Sequence, residues 1–167
     1  MLRQAENSCY IEGILSEVDL DTGSFDNDEG NKTEYIKGTI KIKVAQEINN
    51  ELKDLDIPIS LYATKYTKKN TPNPAYESIS NVMNNFTSIA AAGGEEDADR
   101  VRITRGEITQ NEYYNQNGGL VSFPRIRASF ITKIKKSECK PKATFNTEMC
   151  VLSKDYETDN EDVETGR

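Results

Sequence analysis

The ten residues Tyr35-Ile36-Lys37-Gly38-Thr39-Ile40-Lys41-Ile42-Lys43-Val44 sort cleanly by parity. Ile36, Gly38, Ile40, Ile42 and Val44 share one parity, and Lys37, Thr39, Lys41 and Lys43 share the other. An extended strand fits this pattern, because its side chains point to opposite faces in turn. One face is therefore aliphatic and buried, while three ammonium groups project from the other. Lysines on the open face of an antiparallel strand serve solubility, or they belong to a surface for polyanions. What joins this strand decides between the two.

Strand character recurs along the chain. Cys9 to Val18 is apolar-rich, with Gly13 marking a bulge or bend, and an acidic loop, Asp19 to Asn31, follows it. Ile57 to Tyr66 alternates again until Thr71-Pro72-Asn73-Pro74 stops the strand and starts a helix. From Ala75 to Phe86, Tyr76, Ile79, Met83 and Phe86 recur at three- and four-residue steps, so an amphipathic helix is expected. Ala90 to Asp97 reads as a loop. Val101 to Gln110 returns to strand, and Asn115-Gln116-Asn117-Gly118-Gly119 is a hairpin turn. Leu120 to Lys135 is the last long strand, with Ile126, Ala128, Phe130 and Ile134 inward and Arg125, Arg127, Lys133 and Lys135 outward.

This order predicts an all-β fold with one helix: a five-stranded OB-fold barrel with the helix between strands three and four. Residues 1–142 make up that domain, and residues 143–167 form an acidic extension. Glu148 to Asp155 echoes Glu12 to Asp19. The extension is thus either the first strand of an incomplete second barrel or an acidic tail.

The net charge of −7 argues against nucleic acid, but the charge is segregated. Residues 16–34 carry seven acids and one lysine, and residues 144–167 carry seven acids against Lys154 and Arg167. Residues 100–142 carry ten bases against Glu107, Glu112 and Glu138, a net of +7.

The chain has no histidine, so the commonest general base and metal ligand are both missing. Cys9, Cys139 and Cys150 lack chelating spacing and read as reduced thiols of a cytosolic protein. Asp19-Leu20-Asp21-Thr22-Gly23 has an acidic pattern, but a calcium loop also needs glycine at its sixth position and an acid at its twelfth. No enzymatic activity, cofactor or metal is expected. With no signal peptide or membrane span in the sequence, a cytoplasmic location is expected.

A binding surface remains. Recognition of single strands without sequence preference combines a basic groove with aromatic rings that stack on bases. Tyr62 and Tyr66 share the outward parity of the third strand, and Lys65, Lys68 and Lys69 follow closely. Tyr113 and Tyr114 stand at the tip of the last hairpin, and Arg125 and Arg127 lie on the outward face of the last strand. With Lys37, Lys41 and Lys43 they form the expected nucleic-acid surface.

Tyr76-Glu77-Ser78-Ile79, Ser88-Ile89-Ala90, Ala98 to Ile103, Gly106 to Tyr113 and Ser122 to Phe130 carry a family resemblance. Over roughly residues 8–136 the chain resembles phage- and prophage-encoded OB-fold proteins of Gram-positive bacteria. These are usually regarded as single-stranded DNA-binding or uncharacterised. The resemblance implies single-stranded DNA binding in phage or prophage DNA replication or recombination, inside a bacterial host cell. It also implies a further barrel downstream. RNA is a second candidate ligand, replication proteins are candidate partners of the acidic segments, and a homo-oligomer is open. The competing reading is a protein-interaction module or virion structural subunit without nucleic-acid binding.

Overall fold

The computed structural model describes residues 5–26, 30 and 32–148. Five long strands carry the fold: β1 (Asn7–Asp26), β2 (Lys32–Ile48), β3 (Glu51–Thr64), β4 (Arg100–Tyr114) and β5 (Leu120–Ala128). β1 pairs with β2, β2 with β3, β5 with β4, and β4 with β1, all antiparallel. Ile59–Leu61 of β3 meet Ile126–Ala128 of β5 in parallel and complete the ring. That strand order is the OB-fold barrel. The helix α1 (Pro74–Asn85) falls between β3 and β4, as the sequence predicts. A short helix α2 (Ile89–Ala92) follows it, β6 (Thr132–Ile134) flanks β4, and β7 (Lys142–Thr147) flanks β1.

The aliphatic parity of β2 forms the middle of the core. Ile36, Ile40, Ile42 and Val44 are fully buried against Ile59 and Leu61 of β3, Ile11 and Leu15 of β1, and Val101 and Ile103 of β4. α1 starts where Asn73 Oδ1 accepts the Ala75 N–H at 3.1 Å, with Pro74 at its first position. It buries Ile79 and Val82. Val82 takes the central place that the spacing gave to Met83, which is half-buried, while Tyr76 and Phe86 pack at the core's edge.

Four stretches depart from the sequence reading. Asn49 and Asn50, with φ of 56° and 64°, form a two-residue turn, which extends both β2 and β3 well past the expected limits. β1 likewise continues through part of the expected acidic loop, because Thr22 to Phe25 pair with Ile36 to Thr33. The stretch Leu120 to Lys135 is not one strand. The parallel joint with β3 ends at Ala128, and the Ile131 N–H then donates to Ser78 Oγ of α1 at 3.3 Å. Ile131 turns into the core, Phe130 stays 51% exposed, and β6 pairs with Arg100–Arg102. Ala90–Asp97, expected as loop, opens with the end of α2, which Ser88 caps and Gly93 terminates at φ 75°.

β7 lies along Asn7–Glu12 of β1. Residues 149–167, with most of the repeated Glu148–Asp155 motif and the acidic extension, lie outside the described residues.

At Gly38, with φ 147°, a Cβ would sit 2.1 Å from the Asp19 carbonyl oxygen. Gly38→Ala is therefore expected to cost on the order of 1–3 kcal/mol, read as a lower urea midpoint at unchanged slope.

Candidate nucleic-acid interface

The outer face of the barrel places the candidate residues by register. Lys37 of β2 stands opposite Tyr62 of β3, and Thr39 opposite Ser60. Ser60 in turn faces Arg127 of β5, with Arg125 two residues along the same strand. Lys37, Tyr62, Arg125 and Arg127 thereby line one open pocket of about 400 Å³. A neighbouring pocket of about 240 Å³ shares Tyr62 and Arg127 and adds Arg105, Glu107 and Phe130. Together they make a groove across β2, β3, β5 and β4.

Electrostatics separates the candidates further. Among the described residues Lys37, Arg105, Arg125 and Arg127 have no carboxylate partner, and Lys37 Nζ lies 5.6 Å from the centre of the Tyr35 ring. Arg125 Nε is buried without a hydrogen-bond partner, as is Oγ1 of Thr109, its neighbour across the β4–β5 ladder.

Other candidates are spoken for. Lys41 pairs with Glu17 at 2.5 Å, Lys65 with Glu34 at 2.8 Å, and Lys43 sits between Asp54 and Glu95 at 2.9 and 2.8 Å. Hydrogen bonds donated to these carboxylates raise all three lysine pKa values, so the charges are held but locally cancelled. Tyr66 bridges Pro72 beyond the end of β3, and Lys68 and Lys69 are exposed in the Thr67–Thr71 turn, away from the groove lining. Tyr113 shares the outer parity of β4 and meets Phe123 edge-on at 6.4 Å, whereas Tyr114 has the opposite parity and is 75% exposed.

The structure adds residues that the sequence reading left out. Phe25, Tyr35 and Tyr62 form a row across β1, β2 and β3, each ring centre 5.9 Å from the next. Gly23 makes room for it, since a Cβ there would lie 2.5 Å from Tyr35. Tyr35 was visible as a member of the lysine parity, but Phe25 lay in an expected loop. Arg105 reaches the surface through a bulge. Between Ile103 and Gly106, β4 spends one more residue than β1 does between Ile11 and Cys9. Strict alternation from Val101 and Ile103 would have turned Arg105 inward.

Much of the basic segment has structural work. Arg100 is buried and donates to the carbonyls of Glu95 and Ala98 at 2.6 and 2.5 Å. Lys133 pairs with Asp99 at 2.7 Å, and Lys136 with Glu96. Glu12, 1% exposed, accepts from Arg102 Nε at 2.7 Å, from the Lys140 N–H at 2.6 Å and from the Tyr10 hydroxyl. Burial alone would raise its pKa, but these donors outweigh it and hold the carboxyl at about 2.

Residues 5–167 match the family described as YorF. The chain belongs to the YorF family. No curated protein matches the sequence. Among solved structures, the chain is similar to a small single-stranded DNA-binding protein from Streptomyces coelicolor at 10% identity and a TM-score of 0.38. That likeness covers 77% of this chain and 94% of the other. The strand order, not this likeness, defines the fold. Among the described residues no helix is long and apolar enough to cross a membrane.

Proposed function

We propose that the chain binds single-stranded nucleic acid, largely without regard to sequence, in the groove across β2, β3 and β5. The proposed setting is phage or prophage DNA replication or recombination, and the proposed role is binding without catalysis. One observation carries the reading: Lys37, Arg125 and Arg127 surround Tyr62 in one pocket, and none has a carboxylate partner among the described residues. The cations track phosphates while Tyr62, continued by Tyr35 and Phe25, offers π-faces to bases. A phosphate oxygen arriving at Arg125 would meet a guanidinium that has no carboxylate partner among the described residues.

A second reading, a protein-interaction module, is favoured by the apolar hairpin tip, where Tyr114 and Leu120 are 75% and 58% exposed. Fluorescence anisotropy with labelled oligonucleotides at two salt concentrations separates the readings. Single-strand binding weakens steeply with salt, whereas an apolar interface does not. No binding to an oligonucleotide even at low salt would overturn the first reading.

A further inference from the structure

Beyond the bulge at Thr104–Arg105 lies a second hollow, of about 570 Å³, on the outer face of β7, β1 and β4. Arg102, Lys140 and Lys142 stand around it with Thr144, over Tyr10 and Glu12. Resting on the nucleic-acid reading above, we propose that this hollow is a phosphate-binding site that takes the same strand further along its path.

The argument is one of saturation. Lys142 stands opposite Glu12 in the β1–β7 ladder and would ordinarily pair with it. Glu12 already accepts from Arg102 Nε, the Lys140 N–H and the Tyr10 hydroxyl, and makes no ion pair with Lys142. The remaining acid of the lining, Glu138, has Lys135 at 3.6 Å. The ammonium groups of Lys140 and Lys142 therefore have no carboxylate partner among the described residues. Arg102 gives its Nε to Glu12 and has the Tyr10 hydroxyl beside the same guanidinium, and its side chain is 33% exposed, which keeps part of that guanidinium open to a further acceptor. Three cationic side chains and Thr144 thus line a hollow whose buried carboxylate, Glu12, is already saturated, while Glu138 stands 58% exposed with only Lys135 at 3.6 Å. A phosphate, with several acceptor oxygens and a full negative charge, suits that set.

Position connects the hollow to the groove. Arg102 is three residues from Arg105 on β4, about 10 Å along the strand, and Arg105 lines the first groove. The bulge exposes Arg105 on the side where Arg102 also emerges. A strand leaving Arg127 past Arg105 would reach Arg102, Lys140 and Lys142 by turning round the barrel.

The test compares the full chain with its K140A/K142A double variant. Both side chains are exposed, and alanine keeps the Lys140 N–H that Glu12 uses. Oligo-dT of about six and about twenty nucleotides brackets the site sizes usual for one OB fold. The short oligonucleotide should bind both proteins alike. The long one should bind the variant about tenfold more weakly near 0.1 M salt, with a salt slope smaller by roughly 1.4, or 0.7 for each lost contact. Equal binding of the long oligonucleotide by both proteins would overturn the proposal, as would an equal loss at both lengths.

If the wild-type chain binds neither length, the nucleic-acid reading fails separately. NMR titration with inorganic phosphate and with thymidine monophosphate then tests the hollow alone. Saturable shifts at Tyr10, Arg102 and Thr144 that vanish in the variant would retain a phosphate site filled from a free source. Their absence would overturn it.

Discussion

Replacing Tyr62 by alanine is expected to weaken single-strand binding by about 1–3 kcal/mol, roughly 5- to 150-fold, with little change in salt dependence. The ring is 46% exposed, lies at the centre of the groove and is braced by Tyr35 at 5.9 Å, so its loss removes a stacking platform while the strand itself stays paired. The double change Arg125→Ala and Arg127→Ala should do the reverse. It should flatten the salt slope by roughly 1.4 if each arginine meets one phosphate. Lys41→Ala with Lys43→Ala should leave the slope close to wild type, because Glu17, Asp54 and Glu95 already engage those ammonium groups. Salt titrations of the three variants, by anisotropy, check the set. A slope that falls more with the lysine pair than with the arginine pair would move the phosphate path toward β1 and away from β5.

Replacing Glu12 by alanine is expected to cost about 3 kcal/mol of folding stability. Its carboxylate joins β1 to β4 through Arg102 and to the segment before β7 through Lys140. Arg102 keeps access to solvent, which puts the loss at the low end for a broken buried pair. The same carboxylate sets an acid limit. Its folded pKa, about 2, lies below the ordinary value near 4.3, so its contribution is fully present above pH ~4.3 and is lost as pH falls toward 2. Urea unfolding at pH 7 and at low pH tests both points. A Glu12→Ala unfolding free energy within about 0.5 kcal/mol of wild type, on the scale of an ordinary surface change, would contradict the account.

The barrel was legible where one face is apolar and the other polar. The parity of Ile36 to Val44 survives unchanged as the buried face of β2, and the turn at Asn115–Gly119 joins β4 to β5, with Gly118 at φ 76°. What alternation could not show was where it breaks. The bulge that exposes Arg105 and the register shift between Leu15 and Glu17 change which parity faces out, and neither leaves a mark in composition. Asn49–Asn50 lacks the glycine that usually announces such a turn, so both flanking strands looked short. The site was half legible for a different reason. Parity placed the lysines of β2 on the outer face, but a partner such as Glu95, fifty-two residues from Lys43, becomes visible only in three dimensions.

Backbone chemical-shift mapping of the wild-type chain with oligo-dT tests the central claim most directly. The largest perturbations should fall at Lys37, Thr39, Ser60, Tyr62, Arg125 and Arg127, the residues that share the central pocket. Perturbations confined to Tyr114 and Leu120 at the hairpin tip, or to the Lys68–Lys69 turn, with the pocket silent, would contradict it.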